Sequence, residues 1–440
     1  MAQFKLLTRN LIIIVFGFSG LIVNFGSDSS AIAQTEVTEP LAIPERDPLL
    51  PPSNIQRELS PLEKKRIRAE IEALEIEANE QLAGQPERAF KLWFRQLRLY
   101  RALDLLEEIT ALGRVGQIAW EANRKEELQV IARRLNELYQ HSEEDAIPKS
   151  HSGARVVRQA PSSHGGVPSS QIEIISDLEA ETQNNFTTEF LTTLGVSYQQ
   201  VRDLNNAIAV YTTLLARSRQ INDLELERKY LETLGELYLD KFDYPQAAIV
   251  YQELLAINDE NDAGISTENY LLQLIKIYDY TKELEPAIAV KEQLIDYYKT
   301  QQNTEPIVDI LIALGDDYRA LGQVDLAIQA YQEAVIFGQL LQQLASISDA
   351  LTQLGNLYQE QGQYSLAIQT YNKLLDLEMQ ADNSYGMVNS YDRLGQVYFI
   401  LEDYDRALSV FTEGLKIARS LDYRISYFTD LINKVKAKNR

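Results

Sequence analysis

A 40-residue repeat constrains the fold of this chain more than any other feature. Leucine followed by glycine, with tyrosine three residues after the glycine, recurs at Leu194, Leu234, Leu314, Leu354 and Leu394. Leu274 keeps the spacing, with Ile275 in the glycine position and Lys291 where the other repeats have an aromatic residue. Sequences with such a period fold as stacked supersecondary units, each of which covers a face of its neighbour.

The spacing within one repeat predicts two helices. Leu191, Leu194 and Tyr198 lie three and four residues apart, which places them on one face of a first helix. Ala207 and Tyr211 lie four residues apart on a second helix, where the small residue leaves room for an aromatic side chain of the adjoining helix. The repeat therefore predicts an all-α fold of paired helices, with the tyrosines and both tryptophans, Trp93 and Trp120, in the core.

These positions resemble the signature of the tetratricopeptide repeat, with leucine, glycine and tyrosine on the first helix and alanine and an aromatic on the second. The resemblance extends from Phe186 to Arg419, with units of 40 residues instead of the usual 34. It implies a right-handed α-solenoid of stacked helix-turn-helix repeats, with degenerate repeats at the N-terminus and a capping helix at the C-terminus.

Composition shifts divide the chain further. Residues Ser60 to Glu63 form a capping box with proline at the first helical position, which predicts the start of a helix. At the other end of the chain, Lys434 lies where a repeat would have leucine, which suits a capping helix with a solvated outer face. The predicted segments are a signal peptide (1–33), a proline-rich tether (34–59), an N-terminal helical segment with degenerate repeats (60–140), a flexible insertion (141–170), the array of six repeats (171–426) and a capping helix (427–440).

The N-terminus has the order of a secretory signal: Lys5 and Arg9, then an apolar run over residues 11–23, then Ala31 and Ala33 at the cleavage positions. We expect cleavage after Ala33 and no integral membrane segment afterwards; an uncleaved signal anchor is the alternative. The chain has no cysteine, which excludes disulfides, thiolate metal sites and cysteine nucleophiles.

Charge and histidine placement exclude several functions. With 42 basic and 64 acidic residues the net charge is -22, so nucleic acid and anionic lipid are poor partners, whereas basic segments or cations are favoured. His141, His151 and His164 all fall in the predicted insertion, without the spacing of a metal site. No histidine can therefore activate a nucleophile on the repeats, and the sequence predicts neither an enzyme nor a cofactor.

The resemblance also implies a binding groove, because first-helix side chains in that family line a concave channel. Transferring those positions gives ten acids, Glu189, Asp349 and Glu360 among them, against Lys229, Lys276 and Arg319. A merely solvated helix face is the alternative. The candidate protein-binding residues are Glu232, Glu236, Asp240, Asp279, Asp309, Asp316, Arg319, Asn356 and Asp392.

The family's clamp for a terminal carboxylate is not predicted, since only Asn356 fits its pattern. The expected function is an exported scaffold, in the periplasm or the thylakoid lumen, that binds a partner protein or peptide. The chain is similar to exported cyanobacterial tetratricopeptide proteins, including the processing-associated family of photosystem II assembly, which implies an assembly factor. The alternative is a carrier of Mn²⁺ or another hard cation, such as Ca²⁺, at carboxylates like Asp316 and Asp317.

Overall fold

A computed structural model describes residues 57–146, 187–257 and 265–439, together with residue 41 and residues 47–51. Within these ranges the chain is helical and contains no β-strand. None of the described helices is long and apolar enough to cross a bilayer. The helices are α1 (Pro61–Leu82), α2 (Pro86–Arg101), α3 (Leu105–Glu121), α4 (Lys125–Ala146), α5 (187–200), α6 (Leu204–Gln220), α7 (Leu224–Asp240), α8 (Tyr244–Ile257), α9 (Ile265–Thr281), α10 (Leu284–Thr300), α11 (Ile307–Ala320), α12 (Val324–Leu341), α13 (Leu344–Glu360), α14 (Tyr364–Gln380), α15 (Ser384–Ile400), α16 (Tyr404–Ser420) and α17 (Ile425–Lys438).

Helices that follow each other along the chain pack against each other, which gives the stacked α-solenoid. The odd-numbered helices from α5 onward are the first helices of their repeats, and the even-numbered helices from α6 onward are the second helices. One buried apolar cluster runs through the stack from Leu41 to Ala350, and two smaller clusters continue it to Val435. The core is therefore extended along the array, as a repeat architecture requires.

The turns set the 40-residue period. After each first helix one residue has a positive φ, at Arg202, Phe242, Lys282, Gly322, Gly362 and Glu402. The next backbone N–H then bonds the carbonyl of the motif tyrosine five residues back, as Asp203 does to Tyr198 at 2.9 Å. Among the described second helices the same turn recurs at Asn222, Gln302, Gln342, Asp382 and Asp422. Helices of 17 residues joined by three-residue turns, as in α6 and α7, make two 20-residue halves.

A glycine on each regular first helix lies against an aromatic ring of the second helix. A Cβ added at Gly315 would lie 2.5 Å from Cε1 of Tyr331, closer than carbon atoms can pack. The same contact pairs Gly195 with Tyr211, Gly235 with Tyr251, Gly355 with Tyr371 and Gly395 with Phe411. The glycine is therefore required by the ring that occupies the place of its side chain.

The N-terminal segment is packed onto the array. The predicted capping box is present at Ser60, and α1/α2 and α3/α4 form two helix pairs. Ser197 on α5 donates a hydrogen bond to the carbonyl of Ile109 at 3.0 Å, and the Tyr198 hydroxyl donates to Asn136 Oδ1 at 2.7 Å. These contacts join α3 and α4 to the first regular repeat.

Several predicted boundaries need correction. Helix α4 continues to Ala146, so residues 141–146 are helical instead of belonging to a loop, and α17 begins at Ile425 instead of residue 427. Residues 147–186, with most of the predicted insertion, lie outside the described residues, as does the predicted signal peptide.

Two further expectations differ from the structure. Leu41 and Asp47 of the predicted tether are docked on α2, because Arg101 donates to the Leu41 carbonyl at 3.2 Å and Arg95 pairs with Asp47 at 3.3 Å. Trp93 is buried as expected, but Trp120 is 54% exposed. Trp120 lies at the end of α3, where it lines a surface pocket with Leu128, and none of the described helices covers it.

We predict that Gly315→Ala destabilises the protein by about 1–3 kcal/mol, because the new methyl group overlaps the buried ring of Tyr331. Urea unfolding followed by circular dichroism measures the change. Gly84→Ala is the control, since nothing lies within 4 Å of a Cβ there. In a Tyr331→Leu background the Gly315→Ala penalty should shrink; an unchanged penalty would show that the ring is not its cause.

The tyrosine core predicts alkaline unfolding. Burial raises the pKa of Tyr211 and of Tyr251 from 10.0 to about 12, with smaller contributions from neighbouring groups. The folded state therefore keeps protons that the unfolded chain has lost, so stability is complete below about pH 10 and falls as the pH rises toward 12. Thermal melting across this range should show the fall, with a shallower slope for Tyr211→Phe. A melting temperature independent of pH up to about 12 would contradict this reading.

Candidate protein-binding groove

The candidate residues lie on consecutive first helices. Glu232, Glu236 and Asp240 are on α7, Asp279 is on α9, Asp309, Asp316 and Arg319 are on α11, Asn356 is on α13 and Asp392 is on α15. Neighbouring first helices are linked through these side chains: the Tyr270 hydroxyl donates to Glu232, Ser346 donates to Asp309 at 2.9 Å, and Arg393 donates to Asn356. We call this surface the groove; it is a continuous face of first helices from α7 to α17.

Four of the ten acids that the sequence places in the groove are paired with cations of the protein itself. Asp240 pairs with Arg202 at 3.0 Å, Asp279 with Lys291 at 2.7 Å and Asp392 with Arg424 at 2.7 Å. Arg319, which the sequence counted as a free base, pairs with Glu360 on the next first helix. These residues therefore hold adjacent repeats together as well as lining the surface.

A second group of groove acids has no cationic partner among the described residues. Glu232 and Asp309 accept only hydroxyl hydrogen bonds, and so does Asp316, from Tyr331 at 2.6 Å. Glu236 is exposed. Partial burial raises the pKa of Asp349, and the carboxylates of Asp309 and Glu378 add to the rise. The groove therefore keeps a surplus of negative charge from α7 to α13.

Lys291 is the cation in one of these pairs. It lies on the second helix α10, whereas the other cations named above do not lie on second helices. Its side chain is buried in the position of the repeat aromatic, and Nζ lies 2.7 Å from Asp279 and 2.6 Å from Asp317. Burial lowers the pKa of Lys291, but the two carboxylates outweigh it and raise the pKa overall. Burial also raises the pKa of Asp317, against the opposing effect of Lys291. The break in the repeat pattern thus marks a buried ion triad.

A polar pocket of about 540 Å³ opens where α13, α15 and the start of α17 meet. We call it the C-terminal polar pocket. Sequence reasoning placed three of its residues in the groove, the candidates Asn356 and Asp392 and the acid Glu360. Its lining consists of Asn356, Gln359, Glu360, Asn389, Asp392, Arg393, Gln396, Ile400 and Arg424.

A helical pattern could have revealed the missed pocket residues. Asn389, Asp392, Arg393 and Gln396 are spaced by three, one and three residues along α15, which puts four polar side chains on one face. Arg424 gives no such signal, because it precedes α17 with a left-handed φ of 55° that only the structure shows. Its guanidinium reaches both Asn389, at 3.1 Å, and Asp392.

Comparison with models of known sequence families agrees with this architecture. Residues 192–263 and 346–420 each match a model described as tetratricopeptide repeat. The chain contains tetratricopeptide repeats. Such repeats form protein-interaction scaffolds, typically without catalytic activity. No curated protein matches the sequence.

Similar solved structures have low sequence identity and low TM-scores. BtubC from P. vanneervenii is 18% identical over 50% of this chain and 92% of its own, with a TM-score of 0.35. MamA is 21% identical over 43% of this chain and 96% of its own, with a TM-score of 0.32. A Signal Transduction ATPase with Numerous Domains from Pyrococcus horikoshii, which has a tetratricopeptide repeat sensor, is 14% identical over 79% of this chain and 49% of its own, with a TM-score of 0.38.

We predict that Lys291→Met destabilises the protein by about 3–5 kcal/mol at neutral pH, because it leaves the largely buried carboxylate of Asp317 without its cation. Lys299→Met on the same helix is the matched control; Lys299 forms only a surface contact with Asp296 at 3.8 Å and should cost no more than about 1 kcal/mol. Urea unfolding of both variants measures the difference. Equal effects would show that the triad is not a buried ion site.

Proposed function

We propose that this protein is an exported scaffold that binds an extended segment of a partner protein along the groove and serves as an assembly or biogenesis factor. The C-terminal polar pocket carries the proposal, because three consecutive first helices present polar side chains to one space. An extended peptide offers a regular series of backbone and side-chain polar groups that a row of first helices can contact one after another.

The acidic part of the groove supports a basic segment in the partner. Glu232, Glu236, Asp309 and Asp316 have no cationic partner among the described residues, so a lysine or arginine side chain would meet uncompensated negative charge there. Complementary charge speeds encounter and fixes the register of a bound segment. We therefore place the partner's basic residues over α7 to α11.

The proposed cellular location rests on the sequence alone. Residues 1–33 have the charge, apolar and small-residue order of a secretory signal, and they lie outside the described residues. Export to the periplasm or the thylakoid lumen, and a part in photosystem assembly, follow from that order and from the resemblance to exported cyanobacterial repeat proteins.

The cation-carrier alternative has less support. Asp316 accepts the Tyr331 hydroxyl and Asp317 pairs with Lys291, so these adjacent carboxylates are directed to different protein donors. Among the described residues no group of three or more carboxylates and histidines is placed to hold a metal ion. A hard cation requires several oxygen ligands around one point.

A peptide library tests the proposed function. Synthetic random peptides with free C-termini are bound to the full chain, identified by mass spectrometry, and measured by fluorescence anisotropy. We predict that the triple variant Glu232→Gln, Glu236→Gln, Asp316→Asn weakens binding of the selected basic peptides and reduces its salt dependence. The amides keep the shape and the acceptor for Tyr331.

The matched control removes three charges from the second helices instead, with Glu285→Gln, Asp325→Asn and Asp376→Asn, all of them exposed. This control should leave the affinity unchanged. If the control variant weakened peptide binding and the groove variant did not, the binding surface would lie on the second helices. That result would defeat the proposal.

A further inference from the structure

We infer that a second pocket, formed by α10, α11 and α12, binds a small organic cation in which an ammonium group is attached to an apolar body. We call it the second-helix pocket, because two consecutive second helices, α10 and α12, form its sides. It has a volume of about 310 Å³, within the range of small-molecule sites. None of the candidate groove residues lines it. The inference therefore goes beyond the proposed function and does not depend on it.

The pocket lies where one second helix has a smaller residue than the other repeats. Ala330 lines it, and the corresponding residues of the other five repeats are Val210, Val250, Val290, Thr370 and Val410. These branched side chains are larger than alanine, so Ala330 leaves space beside the buried leucines Leu311 and Leu314 of α11. Ile295 of α10, which is also buried, extends the apolar lining. The inner part of the pocket is therefore apolar.

The same pocket has a carboxylate that the other repeats lack. Glu292 is the only acid at its repeat position, where the others have Thr212, Gln252, Gln332, Asn372 and Thr412. In the preceding repeat, Gln252 donates to the Tyr278 hydroxyl at 2.8 Å, whereas here the Tyr318 hydroxyl donates to Glu292 at 2.5 Å. Burial and the bond to Glu292 raise the pKa of Tyr318 to about 12, so the hydroxyl remains a donor at neutral pH.

Carboxylates outnumber cations at the pocket. Asp296 has a cation nearby, since Lys299 lies 3.8 Å from it. Glu333 on α12 accepts from Gln329 at 3.0 Å, and neither Glu333 nor Glu292 has a cationic partner among the described residues. An ammonium group at the pocket would therefore meet uncompensated negative charge from two helices, whereas an anion would be repelled.

The combination of an apolar interior and these acids defines the class of ligand. An ammonium group donates hydrogen bonds to carboxylates such as Glu292, and an alkyl chain attached to it covers Leu311 and Leu314. A bare metal ion fits poorly, because in the described part of the chain no three carboxylates or histidines are placed to hold one. An uncharged apolar molecule would make no use of the charge. The site thus favours an alkylammonium ion.

Three small molecules test the two halves of this ligand. Hexylammonium chloride is titrated into the full chain at neutral pH and low salt, and saturation-transfer NMR measures its dissociation constant. Methylammonium lacks the apolar body, and hexan-1-ol lacks the charge. We expect each of these to bind at least about fivefold more weakly than hexylammonium, since one loses apolar burial and the other loses the carboxylate contact. Equal binding of all three would overturn the inference.

Two variants locate the site. Glu292→Gln removes the charge, and Ala330→Val fills the space; each introduces a residue that other repeats already have at that position. We expect each to weaken hexylammonium binding by about fivefold or more. Glu285→Gln is the matched control, because Glu285 is exposed on the same helix and does not line the pocket. This control should leave the dissociation constant unchanged, and circular dichroism melting checks that all three variants fold.

The inference and the proposed function fail separately. Hexylammonium binding that is unchanged in both Glu292→Gln and Ala330→Val would overturn the inference. Binding that is lost instead in the groove variant with Glu232→Gln, Glu236→Gln and Asp316→Asn would place the amine in the groove and would also overturn it. Neither result alters the peptide affinities that test the proposed function. A capped lysine peptide that bound this pocket more tightly than hexylammonium would show a protein ligand and contradict the assignment of a small cation.

Discussion

Each regular repeat depends on one contact, in which the aromatic ring of the second helix occupies the space of the missing glycine side chain on the first. The contact lets the two helices approach closely, and it also aims the tyrosine hydroxyl at the groove. Tyr331 donates to Asp316 at 2.6 Å, and Tyr371 donates to Asn356 at 2.9 Å; in both cases the acceptor is the residue directly after the glycine. The packing of the core thereby orients the residues of the candidate site.

The departures from this contact follow the same geometry. In the repeat of Ile275, isoleucine replaces the glycine and Lys291 replaces the aromatic residue. The Lys291 ammonium then donates to Asp279 and Asp317, where the other repeats have a ring. In the last repeat Phe411 has no hydroxyl, and the residue after the glycine, Gln396, donates instead to Asp392. The second helix thus decides which polar groups on the first helix are already satisfied and which remain for a ligand.

The sequence predicted the helices and their period because leucine, glycine, tyrosine and alanine recur in register, and each has a local or nearest-helix role. It could not predict the charge balance of the groove. Asp240 and Asp392 are satisfied by residues more than 30 positions away, Arg202 and Arg424, whose approach depends on how repeats stack. Counting acids on one face therefore overstated the negative charge and missed Arg393. Trp120 was misplaced for a similar reason, since its burial depended on a neighbouring helix, and no helix in the described part of the chain covers it.

A crystal structure of the full chain with a library-selected basic peptide tests the central claim most directly. The account predicts an extended peptide on the first-helix face, with lysine or arginine side chains within hydrogen-bond distance of the carboxylates of Glu232, Glu236 or Asp316. A peptide bound to the second helices, or one whose basic side chains face solvent instead of these carboxylates, would contradict it.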